Sequence, residues 1–163
     1  MNNIHNRWGF LHRDFEYIER HDYESAVWSS PTDLERYNGL IGVDHRSLSD
    51  EEVLYFVKDD PWPDIKNKRY ALHRLRPSWV IPEHRDLYFT FRKNHDVDHV
   101  NAITRIIVFL EDRQAGHLLE IDGQLVPTWS AGDWVQWFGD TPHMAANLGQ
   151  EDRYTLQITG TVT

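Results

Sequence analysis

Residues 103–110 read Ile103-Thr104-Arg105-Ile106-Ile107-Val108-Phe109-Leu110, a nearly continuous apolar run broken by one arginine. The run is too short to span a bilayer and lacks the alternation of a strand with one wet face. It reads as a strand covered on both faces. Working outward, Leu118 to Ile121 and Gln124 to Val126 flank Asp122-Gly123, the residue pair that a type I′ hairpin turn requires. Asp133 to Phe138 alternates after Ala131-Gly132, and Tyr154 to Thr159 alternates near the C-terminus. Upstream, Trp79-Val80-Ile81 is short and apolar, and Leu87 to Phe91 is aromatic and β-branched, so both are expected as strands. Short strands at regular spacing with Gly and Pro turns predict a mainly β fold, a sandwich or barrel that a jelly roll would close.

The first part of the chain has a different texture. Ser49-Asp50-Glu51-Glu52 ahead of Val53 and Leu54 forms a capping box, and Thr32-Asp33 after Pro31 is a second helix start. Asp60-Pro61-Trp62-Pro63 breaks any regular element. These patterns predict a single domain over 1–163, with residues 1–75 as an N-terminal appendage of short helices and irregular chain. Residues 76–163 would be the jelly-roll core.

Composition narrows the function. Of 163 residues, 17 are Lys or Arg and 26 are Asp or Glu, a formal charge of −9 that argues against nucleic acid and anionic membranes as partners. No cysteine is present, which removes disulfides, thiolate metal sites and a Cys nucleophile. The N-terminal MNNIHNRWGF has no secretory pattern, so the expectation is a soluble, cytoplasmic protein. Ten histidines remain as the candidate metal ligands and bases.

A site with two histidines and one carboxylate leaves coordination positions open for co-substrate and O₂. On extended chain, residues i and i+2 share a face, so His-x-Asp can supply two of the three ligands. The chain has two such tripeptides, His12-Arg13-Asp14 and His84-Arg85-Asp86. The first lies in a charged, amphipathic stretch. The second sits at the end of an expected strand, so context selects it. His143, after the Gly139–Pro142 turn, is the candidate third ligand. Arg153 and Thr155 share a face of the last strand, where a buried guanidinium would call for an anionic partner.

The stretch 84–161 resembles the 2-oxoglutarate/Fe(II)-dependent oxygenase superfamily. Its ordered pattern of His-x-Asp, distal His and Arg-x-Ser/Thr is matched by His84-x-Asp86, His143 and Arg153-x-Thr155. Leu110 to His117 resembles the family's LxDxxxGG turn, with His117 in place of the second glycine. The resemblance implies a double-stranded β-helix in which His84, Asp86 and His143 hold Fe(II). It also implies that Arg153 and Thr155 hold the far carboxylate of 2-oxoglutarate. The implied reaction hydroxylates a small molecule or a protein side chain and releases succinate and CO₂.

Other readings compete for the same residues. His143-x-x-x-Asn147 also resembles the second cupin motif, although the His-x-His of the first is missing. A cupin-type metal enzyme that does not use 2-oxoglutarate and a non-catalytic jelly-roll binding module therefore stay open. The oxygenase alone needs Arg153 buried and facing the metal. His84-Arg85-Asp86-Leu87 resembles a protein-kinase catalytic loop, but no Gly-rich phosphate loop or Asp-Phe-Gly accompanies it. His95-Asp96-Val97-Asp98-His99 reads as a solvated loop. Trp79, Trp129, Trp134 and Trp137 are expected on strands, packed between the sheets. Arg105 stands to face either a substrate or solvent.

Overall fold

Alternating residues of the apolar run 103–109 face two different apolar layers, and the architecture follows from that division. A computed structural model describes residues 23–25, 30–57 and 59–162. Among these, the strands are β1 (Glu24–Ser25), β2 (Asp44–Ser47), β3 (Lys66–Leu75), β4 (Val80–His84) and β5 (Ile103–Phe109). They continue as β6 (His117–Ile121), β7 (Gln124–Leu125), β8 (Trp134–Phe138), β9 (His143–Asn147) and β10 (Arg153–Thr161). Three short helices accompany them: α1 (Pro31–Arg36), α2 (Asp50–Phe56) and α3 (Phe89–His95). One sheet has the order β1-β2-β3-β10-β5-β8 and the other β4-β9-β6-β7, all paired antiparallel.

Every residue of β5 is buried, as the opening run predicts. Its odd-numbered residues Ile107 and Phe109 join Leu75, Leu119, Ile121, Val135, Trp129 and Trp137 in an inner core. Phe109 stacks on Trp129 with ring centroids 4.2 Å apart. Its even-numbered residues Ile106 and Val108 join Leu72, Leu156 and Ile158 in a second core behind the larger sheet, covered by Val57, Trp62 and Ile65. Trp134 packs in that outer layer, edge-on to Trp62, and so departs from the expectation that it lies between the sheets. The Asp122-Gly123 turn has both residues at positive φ, 53° and 71°, as a type I′ hairpin demands. The Ser49 capping box forms in full at the start of α2.

Two sequence expectations change. The boundary at residue 75 cuts off a strand of the main sheet, because β3 pairs along its length with β10. Its Lys, Arg and His residues conceal it: β3 is polar because it borders cavities and solvent, so the apolar alternation of a strand is weak. Leu87 to Phe91 is not a strand. Tyr88 adopts a left-handed conformation (φ 51°), which ends the extended chain, and α3 begins at Phe89. Leu87 and Phe89 are exposed, so no core contact is present to enforce the strand preference of their side chains.

Residues 41–65 are fastened to the sheet partly by charge. Asp44 on β2 is fully buried and accepts hydrogen bonds from Arg74 Nε (2.9 Å), Arg76 Nε (2.7 Å) and Ser25 Oγ (2.6 Å). Burial raises its carboxyl pKa, but the bonds from Arg76, Ser25 and Arg74 outweigh it and hold the group below its ordinary value. A depressed carboxyl contributes stability above its unfolded pKa of about 4, and loses it as pH falls through the folded value. Asp44→Asn is expected to lose about 2 kcal/mol at pH 7, since both arginines are partly exposed and can recover some hydration. Urea melts at pH 7 and pH 3 check this: the gap between variant and parent should shrink at pH 3, and an unchanged gap contradicts the assignment.

Candidate metal centre

The last residue of β4 and the first of β9 are register partners, which sets His84 directly across from His143 with ring centroids 4.3 Å apart. The register shift between Ile81 and His84 marks an irregularity just before this pair. Asp86 follows two residues beyond His84. The His84 Nε2 to Asp86 Oδ1 distance is 3.5 Å, and His143 Nε2 to Asp86 Oδ2 is 3.7 Å. One ligand atom from each of the three lies within 4.8 Å of the other two. Antiparallel pairing thus unites two histidines that are remote in sequence.

The backbone selects the tautomers. His84 Nδ1 lies 2.9 Å from the Pro82 carbonyl oxygen, and His143 Nδ1 lies 2.9 Å from that of Thr141. A carbonyl only accepts, so each Nδ1 carries the hydrogen and each neutral ring presents its Nε2 lone pair toward Asp86. With His84 deprotonated, two lone pairs face a carboxylate and a cation fits between them. The donor set of two imidazoles and one carboxylate fits a divalent metal such as Fe(II) with open positions.

The electrostatics agree with that fit. Burial opposes ionisation of Asp86, but the hydrogen bond from His84 and the charge and hydrogen bond of Arg105 prevail and hold its carboxyl far below the usual range. Burial pushes His143 down to about 4, only partly offset by Asp86, so it is neutral at pH 7 and available as a ligand. His84 is also opposed by burial, yet Asp86 and the Pro82 carbonyl lift its pKa above the ordinary value. Loading a metal there requires that proton to leave.

The three residues line a cavity of about 240 Å³ that Arg153 and Thr155 also border. Arg153 is buried, 6% exposed, and its Nη1 donates to the Leu118 carbonyl at 2.7 Å. Its guanidinium carbon sits 5.5 Å from the centre of the Trp129 ring. Among the described residues no carboxylate forms an ion pair with it, and burial pushes its pKa down to about 10 despite the attraction of Glu111. Thr155 is buried on the same face of β10. The sequence-selected set of His84, Asp86, His143, Arg153 and Thr155 therefore converges on one cavity.

Two further side chains belong there. Arg105 donates from Nη2 to Asp86 Oδ2 at 2.5 Å and from Nη1 to Thr159 Oγ1 at 2.6 Å, with its guanidinium carbon 5.0 Å from the centre of the Tyr88 ring. A lone arginine inside an apolar strand was its one sequence signal. His73 lines the cavity from β3, where the polar disguise of that strand hid it. The His95–His99 cluster forms no ligand group among the described residues. His12 and Asp14 lie outside the described residues. His117, in the family's second-glycine position, is fully buried on β6 and does not border the cavity.

Comparison with known proteins places this geometry in context. No protein-family model matches the chain, and no curated protein matches it. Solved structures do. An Acidithiobacillus ferrooxidans protein provisionally named a sugar phosphate isomerase aligns with a TM-score of 0.54 at 16% identity, covering 94% of this chain and 76% of its own. KdgF from Halomonas sp. aligns with a TM-score of 0.48 at 13% identity over 96% of each chain. A cupin superfamily protein from Desulfitobacterium hafniense aligns with a TM-score of 0.43 at 12% identity, over 74% of this chain and 78% of its own.

The fold is a jelly roll. Its eight strands are β3 to β10, with β3, β5, β8 and β10 in the larger sheet and β4, β6, β7 and β9 in the smaller. At these identities the likeness concerns the fold alone. The candidate ligands lie at the facing ends of two strands of the smaller sheet, and Arg153 opens the last strand of the larger.

Proposed function

We propose that this protein is an Fe(II)- and 2-oxoglutarate-dependent oxygenase that hydroxylates a small molecule or a side chain. The observation that carries the reading is the buried Arg153, which borders the same cavity as the His84–Asp86–His143 group and has no carboxylate partner among the described residues. A guanidinium in that position is costly without an anion, and a dicarboxylate co-substrate provides one. Bound together, Fe(II) and 2-oxoglutarate supply O₂ activation coupled to decarboxylation, with one oxygen atom going to succinate and one to a substrate C–H bond.

The residues have separable tasks. His84 and His143 present Nε2 because backbone carbonyls hold their Nδ1 hydrogens. Asp86 supplies the anionic ligand, and Arg105 fixes its orientation through Oδ2. Arg153 and Thr155 receive the far carboxylate of 2-oxoglutarate. Ile107, Leu119 and Trp137 line the cavity with apolar surface and limit water.

A metal enzyme of cupin type that makes no use of 2-oxoglutarate is the second reading, favoured by the jelly-roll fold and by His143-x-x-x-Asn147, which resembles the second cupin motif and forms β9. Anaerobic titration separates the two. Fe(II) followed by 2-oxoglutarate is expected to develop a visible metal-to-ligand charge-transfer band. Fe(II) binding without that band favours the second reading, and a folded chain that binds no Fe(II) removes both.

A further inference from the structure

A second cavity, of about 540 Å³, lies beside the metal centre, and His73 and Gln157 border both. The strand registers explain why the two meet. Arg153, Thr155, Gln157 and Thr159 alternate along one face of β10, opposite Leu75, His73, Ala71 and Arg69 of β3. Across β2, His45 pairs with His73 and Ser47 with Ala71, which extends the same face. One wall therefore runs from Arg153, past the metal centre, to Arg69. At about 3.3 Å per residue, Thr159 lies about 20 Å along the strand from Arg153, and about 13 Å from Thr155.

The chemistry of this second cavity departs from that of the chain as a whole. The protein carries a formal charge of −9, yet among the described residues no carboxylate lines this cavity. Arg69, His45, His95, Asn94 and Gln157 do line it. Arg69 forms no ion pair among the described residues, and the side-chain amides of Asn94 and Gln157 form no hydrogen bonds there. Phe91, from α3, adds an aromatic surface, with its ring 4.6 Å from that of His95. Several unpartnered donors, one of them a permanent cation, converge on a concave surface of ligand size. His73 and Gln157 border both cavities, so the second cavity adjoins the metal centre across these two side chains.

We infer that the second cavity is the substrate subsite, and that it holds the anionic end, carboxylate or phosphate, of an elongated small molecule. Arg69 is its anchor, His45 and His95 supply further donors, and the reacting carbon reaches the metal centre past Gln157. This assignment of substrate class rests on the oxygenase reading, whereas anion binding in the cavity can be measured without metal or 2-oxoglutarate.

The test uses the full metal-free chain, observed through its histidine ring signals by NMR. Inorganic phosphate and acetate are titrated in separate arms. At least one is expected to shift the His45 and His95 signals saturably while leaving the buried His117 unmoved. A response to phosphate alone assigns a phosphate-bearing substrate, and to acetate alone a carboxylate. Arg69→Gln is expected to weaken that binding by about tenfold, the worth of one charge-assisted hydrogen bond, and Arg69→Lys to retain most of it. Because Arg69 is exposed and forms no ion pair among the described residues, both variants should melt with the parent. His95→Ala provides a second, weaker perturbation from α3. The inference is overturned if neither anion shifts these signals, or if the shifts persist unchanged in Arg69→Gln. Its failure would leave the charge-transfer band intact, whereas loss of that band in the parent would strike the oxygenase reading alone.

Discussion

His143→Ala is expected to lose Fe(II) binding by more than about a hundredfold. Changing an outer-shell partner of a metal ligand costs about 10–100-fold in affinity, so removing a ligand should exceed that range. The imidazole cannot be replaced locally, because the Thr141 carbonyl holds its Nδ1 and only His143 brings an Nε2 to within 3.7 Å of Asp86 from β9. Folding should survive. Asp86 keeps its pairing with Arg105 and the strand register does not depend on the ring. Anaerobic Fe(II) titration, followed by competition with a chromophoric chelator, measures the loss. His95→Ala and His99→Ala serve as controls and should bind iron as the parent does. If either of them loses iron while His143→Ala retains it, the ligand set is wrong.

Arg153→Met is expected to keep Fe(II) affinity within about threefold and to weaken 2-oxoglutarate on the order of a hundredfold, the scale of two hydrogen bonds to a charged group. The same variant should melt no lower than the parent when no 2-oxoglutarate is present. A buried guanidinium without a carboxylate partner is retained at a cost, and an apolar side chain of similar length removes that cost while keeping contact with Trp129. The opposed signs make the experiment decisive. A large drop in melting temperature with unchanged 2-oxoglutarate binding would make Arg153 a structural residue, tied to the Leu118 carbonyl rather than to a ligand. Equal loss of iron and 2-oxoglutarate would contradict the separate roles.

The legibility of the site in the sequence was uneven, for reasons visible in particular residues. His84 and Asp86 are two positions apart, so extended chain alone places them near one another. His143 and Arg153 could be selected by order and residue type, since a buried arginine on a terminal strand carries its own electrostatic demand. Arg105 and His73 could not be assigned. A charged residue within a strand faces a cavity or solvent with the same local pattern, and the choice depends on which sheet lies opposite. The strand β3 is concealed in the sequence for a related reason. Its residues Arg69 and His73 border cavities instead of the core, so the apolar alternation that marks a half-buried strand is missing. Leu87 to Phe91 departs in the other direction, because the strand-favouring side chains of Leu87 and Phe89 stay exposed around a left-handed Tyr88.

What the sequence determined by itself was the mainly β class, the two-sided burial of residues 103–109, the Asp122-Gly123 turn and the types of residue available for chemistry. Each of these rests on local physics: side-chain period, turn dihedrals and the scarcity of soft ligands in a chain without cysteine. Only the tertiary structure decided that His84 faces His143 across β4 and β9, that Arg105 holds Asp86, and that one polar wall joins Arg153 to Arg69. Those are matters of register between strands remote in sequence. A shift of one residue would turn every such side chain to the opposite face of its sheet.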